Sequence, residues 1–134
     1  MIICDDFLEK AQRIYSDFSS KGYFNSCPEM DYRECARTSY YYIYHVANQR
    51  ASQIPGGINN SVGQHQRVID KLRCSSDIFD QELGDLLALM KIARVKADYT
   101  LNCNFSKNDA YKVLRRAERL KETIIKSTLK DSTA

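Results

Sequence analysis

Apolar residues recur along this chain at intervals of three and four, the period of a buried helical face, and no segment sustains the one-in-two alternation of a strand. Phe7, Ala11, Ile14 and Phe18 follow one another at spacings of 4, 3 and 4 and predict a first helix over 5–19. SKGYFNSC, residues 20–27, reads as a loop. Pro28 then suits the first turn of a second helix, where the N–H it lacks would have no partner anyway. That helix is expected to run to about residue 51. IPGGINNSVGQ, residues 54–64, is crowded with turn formers and reads as a second loop. A shorter helix follows to about residue 73, with Val68, Ile69 and Leu72 inward. Ser75, Ser76 and Asp77 offer N-caps for a fourth, in which Phe79, Leu83, Leu86, Met90, Ala93 and Ala97 form the core stripe. Ser106 with Asp109 three residues on is a capping-box pattern. It opens a last helix lined by Val113, Leu114, Ala117, Leu120, Ile124 and Leu129. The expected fold is all-α, an antiparallel four-helix bundle with one additional short helix, built from residues 1–134 as a single domain.

The second helix carries the densest chemistry. ARTSYYYIYHVANQ, residues 36–49, holds four tyrosines, an arginine and a histidine. At about 100° per residue, Tyr32, Ala36, Tyr40, Ile43 and Ala47 share one face and are expected to be core. Arg37, Thr38, Tyr41, Tyr44, His45 and Asn48 are expected to face away from it. Exposed tyrosines beside a histidine imply a partner surface, either a second subunit or RNA bases stacked on the rings.

Charge adds a second expectation. Net charge is only +3, yet residues 91–134 hold eleven Lys and Arg against five Asp and Glu, a surplus of six. A basic C-terminal third suits a phosphate-bearing ligand and equally suits a solvated amphipathic helix. KIARVKADY, residues 91–99, places Arg94 and Asp98 one turn apart, with Lys91, Lys96 and Tyr99 nearby. That helix end can present a cation and a phenol to an anion, or hold no more than a surface ion pair.

Other chemistries are excluded by spacing. Five cysteines (Cys4, Cys27, Cys35, Cys74 and Cys103) include no CxxC pair, so neither a zinc site nor any other metal centre is expected. Free thiols fit a reducing compartment. The acidic N-terminus MIICDDFLEK does not read as a signal peptide, and no apolar run approaches a membrane span. A cytoplasmic protein without membrane association is therefore expected. The chain lacks GxxxxGK[ST], GxSxG, HExxH and EF-hand spacings, and no cofactor is expected.

Two stretches taken together carry a resemblance. TSYYYIYHVA, residues 38–47, followed by RVKADY, residues 94–99, resembles the HEPN superfamily (higher eukaryote and prokaryote nucleotide-binding domains), in particular its small stand-alone bacterial branch. A basic last helix follows, as in that branch. The resemblance implies an α-helical bundle, commonly a homodimer, and a metal-independent ribonuclease of toxin–antitoxin or phage-defence systems. A nucleotidyltransferase-type antitoxin is the partner it implies. On that reading Arg94, Asp98, Tyr99 and His45 are the catalytic candidates. Arg37, Tyr41, Tyr44, Asn48, Lys91 and Lys96 are the candidates for RNA or nucleotide binding.

The sequence departs from the family signature of an arginine followed, after four to six residues, by a histidine. Seven residues separate Arg37 from His45, and Arg50 lies far from His65. Asp98 and Tyr99 stand where a histidine would follow Arg94. RNA cleavage through the 2′-hydroxyl needs a base, an acid and a cation on the phosphate. Arg94 supplies the cation, and His45 suits neutral pH better than Asp98 does. A non-catalytic module that binds nucleotide, RNA or a nucleotidyltransferase, and a purely structural helical dimer, are the two alternatives.

Overall fold

A computed structural model describes residues 1–19, 27–56 and 61–132. Residues 20–26 of the loop expected at 20–27, and 57–60 of that expected at 54–64, lie outside the described residues. Five helices follow in order: α1 Cys4–Ser19, α2 Pro28–Ala51, α3 Gln64–Arg73, α4 Ile78–Tyr99 and α5 Lys107–Ser132. Among the described residues there is no strand, and no helix is long and apolar enough to cross a membrane. The all-α reading with one short extra helix holds.

Local signals start the helices where the sequence places them. Pro28 opens α2, and the Asp77 carboxylate accepts the Phe79 N–H at 2.8 Å to cap α4. At α5 the capping box forms in both directions. Ser106 Oγ accepts from the Asp109 N–H at 3.0 Å, and Asp109 Oδ2 accepts from the Ser106 N–H at 2.8 Å.

α2 is the axis of the bundle and packs against all four other helices. Contacts of Phe7 with His45 and Phe18 with Tyr32 run α1 antiparallel to it. Arg33 against Ala97 and Arg50 against Asp80 do the same for α4. Because neighbours surround α2, its burial is not one-sided. Tyr40 and Ile43 are buried as expected, and so are Tyr42, Tyr44, Thr38 and Ser39. The expected division of this helix into a core face and an outer face is therefore corrected: Tyr44 is 5% exposed and Thr38 is buried. A helical wheel assumes that one side of the helix meets solvent, and here α3 and α4 meet α2 together at Tyr40 while α1 and α5 pack on it as well.

Two further corrections are smaller. Leu8 and Ala11 are the most buried positions of α1, so its stripe is turned slightly from the expected one. Leu129, expected to be inward, is 61% exposed near the end of α5.

α3 crosses α4 closely at Gly84. A Cβ there would stand 3.1 Å from Leu72 Cβ and 3.1 Å from Arg73 Cγ, so the absent side chain sets the approach of the two helices. At the other end of α4, the Arg33 guanidinium is inserted among the terminal carbonyls. It donates to Lys96 O and Ala97 O at 2.9 Å, Thr100 O at 3.1 Å and Cys103 O at 2.6 Å. A buried cation on carbonyls at the negative end of a helix satisfies acceptors that otherwise have no partner. That contact fixes the turn bearing Arg94, Asp98 and Tyr99.

Candidate functional site

Arg94 stands at the centre of a cluster drawn from three helices. Its guanidinium lies 6.0 Å from the ring centroid of Tyr40, 5.8 Å from that of Tyr41 and 5.5 Å from that of Tyr99. Nη2 donates to the Tyr41 hydroxyl at 3.3 Å. Nε lies 2.9 Å from Asp98 Oδ2 in an ion pair, at an angle that gives no directed hydrogen bond. A guanidinium has five N–H donors. Among the described residues only the one to Tyr41 has a directed partner. Nε is buried against Asp98, so the donors that Arg94 keeps for an anion are those of its Nη groups.

Asp98 is shared. Its Oδ1 lies 4.0 Å from Arg37 Nε, and Arg37 in turn pairs with Glu34 at 2.8 Å and sits over the Tyr41 ring. The carboxylate thus couples the two arginines of the expected site. Tyr99 is exposed beside them.

The sequence reading missed His65. This first-turn residue of α3 stacks on Tyr44, with centroids 4.0 Å apart and planes 5° from parallel. Its Nδ1 is 2.5 Å from the Tyr40 hydroxyl. Burial pushes the Tyr40 phenol well above its ordinary value, so it stays protonated at neutral pH. A phenol is a stronger acid than a neutral imidazole N–H, so Tyr40 donates to Nδ1 and the ring proton resides on Nε2. The His65 pKa is lowered first by burial, then by the positive charges of Arg94 and Lys91 and by that of His45 when it is protonated. The motif search could find His65 only through a spacing rule tied to arginine, and its partners come from helices remote in sequence.

His45 lies one layer further out. It stacks on Phe7 at 4.8 Å and tilts against Tyr44 at 5.2 Å and Tyr41 at 6.3 Å. Burial lowers its pKa, so it too is neutral at pH 7. His45 reaches Arg94 through Tyr41, which touches both. Both histidines therefore border one aromatic cluster with Arg94 on its α4 side.

The remaining expected residues divide. Lys91 lies near enough for its charge to bear on His65. Asn48 is exposed on α2. Tyr44 belongs to the buried stack and offers no face to a ligand while His65 covers it. Lys96 points away from the cluster, with its ammonium 5.9 Å from the Phe105 ring centroid. Two residues along a helix differ by about 200°, which puts Lys96 and Arg94 on opposite sides of α4. No group of His, Cys, Asp and Glu that could hold a metal ion occurs among the described residues. Cys35 is buried with its thiol pushed up to about 12 by burial, which leaves it a poor nucleophile.

No protein-family model, curated protein or solved structure matches the chain.

Proposed function

We propose that this chain is an RNA-targeting protein of the HEPN type, a metal-independent ribonuclease of a toxin or phage-defence system. The observation that carries this reading is the Arg94 guanidinium, whose Nη groups are spent, among the described residues, on the Tyr41 hydroxyl alone, beside an exposed tyrosine and two neutral imidazoles. In it, Arg94 and the Nε2–H of His65 hold a phosphate, and the Tyr99 ring stacks on a base. His45, neutral at pH 7, removes the 2′-hydroxyl proton as that oxygen bonds to phosphorus. The P–O5′ bond breaks with a solvent water protonating the departing 5′-oxygen, and Asp98 orients Arg94 and Arg37. The family resemblance adds a second copy whose identical cluster completes the site, and a nucleotidyltransferase-type antitoxin as partner.

One specific feature favours the second reading, a non-catalytic module that binds RNA or nucleotide. Tyr40 occupies Nδ1 of His65, and Asp98 is committed to two arginines, so neither is a free base in the resting state.

A fluorogenic single-stranded RNA incubated with purified protein in excess EDTA separates the readings. Cleavage by the wild type and a loss of about 100-fold or more in Arg94→Ala support the ribonuclease, the magnitude being that of one lost oxyanion donor. RNA binding without cleavage, abolished by Arg94→Ala, transfers the site to the second reading. Neither binding nor cleavage sinks both.

A further inference from the structure

Helices α4 and α5 each pack on α2 but scarcely touch one another. The trough left between them has a volume of about 560 Å³. Its floor is aliphatic, formed by Leu89, Ile92 and Ala93 of α4 with Val113 of α5. Leu89 is 49% exposed and Ile92 is 70% exposed. The opposite wall is basic, since Lys112, Arg116 and Arg119 stand along α5 at spacings of 4 and 3, with Lys96 across from them.

The charges on that wall are only partly matched among the described residues, where the Asp109 carboxylate faces Lys96 and Lys112. Arg116 and Arg119 form no ion pair among the described residues. Asp109, the acid in the lining, is committed to the cap of α5. An aliphatic strip beside a row of cations at helical spacing is complementary to an amphipathic helix that carries carboxylates along its apolar edge. From Leu89 to Lys96 the α4 side of the trough rises about 10 Å, the length of nearly two helical turns.

We propose that this trough receives an acidic amphipathic helix of another protein, with leucine-type side chains on Leu89 and Ile92 and carboxylates on Lys112, Arg116 and Arg119. RNA fits the site less well, because bases stack on open ring faces. Here Phe105 is buried beneath Lys96, and Tyr111, 43% exposed and tilted 46° against Tyr15, is the single open ring in the lining. A second copy fits less well, because three of its exposed acids are already paired, Asp5 with Lys121, Glu9 with Arg13 and Asp85 with Arg73, which leaves Glu82 on the exposed face of α4. The site lies on the side of α4 away from Arg94 and does not depend on the chemistry there.

The test is fluorescence anisotropy with three labelled synthetic helical peptides: one with a leucine stripe flanked by glutamates, its scrambled isomer, and a version with lysine for glutamate. The acidic amphipath is expected to bind the full chain. Ile92→Glu, at an exposed position that leaves the fold intact, is expected to weaken binding at least tenfold. The double variant Arg116→Glu and Arg119→Glu is expected to lose the acidic peptide and gain the lysine one. Absence of binding, equal binding of the scrambled isomer, or indifference to Ile92→Glu overturns the proposal. Displacement of the acidic peptide by oligouridylate assigns the face to RNA and overturns it as well. So does sedimentation showing that Ile92→Glu splits a dimer into monomers, which assigns the face to a second copy.

Discussion

Arg33→Ala is expected to be among the most damaging single substitutions in the described core, and its cost can be worked from its four carbonyl contacts. Arg33 is 7% exposed. Its bond to Ala97 O is fully buried, and those to Lys96 O, Thr100 O and Cys103 O are partly buried. A charge-assisted bond whose buried acceptor is stranded costs about 2–3 kcal/mol, while three partly rehydrated acceptors add about 0.5 kcal/mol each. The sum is about 4 kcal/mol, a large share of the ~5–15 kcal/mol stability of a domain. With a urea slope of about 2 kcal/mol per molar, the midpoint falls by about 2 M. Urea unfolding followed by far-UV circular dichroism reads that shift. Arg33→Lys, with one compact ammonium in place of a planar fork, is expected to lose about half as much. A midpoint change under about 0.5 M for Arg33→Ala, with an unchanged slope, refutes the claim that this guanidinium holds the end of α4.

Further expectations follow from the same contacts. His45 and His65 both have folded pKa values below the ordinary ~6.5 of the unfolded chain, so the unfolded state binds more protons as pH falls through that value. Stability is therefore expected to decline from pH 7 toward pH 5, and a double His→Gln variant to flatten the decline; an unaltered slope in pH-dependent urea melts contradicts this. Gly84→Ala is expected to cost about 1–3 kcal/mol through overpacking, despite the usual helix preference for alanine, because Leu72 Cβ, Arg73 Cγ and the Ile69 carbonyl crowd the new methyl. A neutral or stabilising result in the same melt would mean that α3 and α4 separate freely. In a thiol-reagent time course, exposed Cys27, Cys74 and Cys103 are expected to react fast and Cys4, partly buried with a raised pKa, more slowly. Cys35, buried with its thiol near 12, should react only on unfolding, and early loss of that thiol would show that α1 opens readily.

Periodicity and capping chemistry alone determined the helix content and order. Apolar spacings of three and four, Pro28 at the start of α2, and the Ser106–Asp109 box act within a turn or two of the chain, so their consequences can be read without knowing the fold. The association of Arg94 with Asp98 was legible for the same reason, since both lie on one helix a turn apart. Burial on α2 was not. A single helix shows only its own period, and Tyr44 is buried because α3 supplies His65 to cover it. Nor does sequence spacing place His65 beside Tyr40, or Tyr41 against Arg94, since those pairs are 25 and 53 positions apart. Sequence supplied the groups that hold charge and proton. Only the crossing of α2, α3 and α4 brought a neutral imidazole, a protonated phenol and a half-buried guanidinium into one cluster, because their mutual distances depend on how those helices pack.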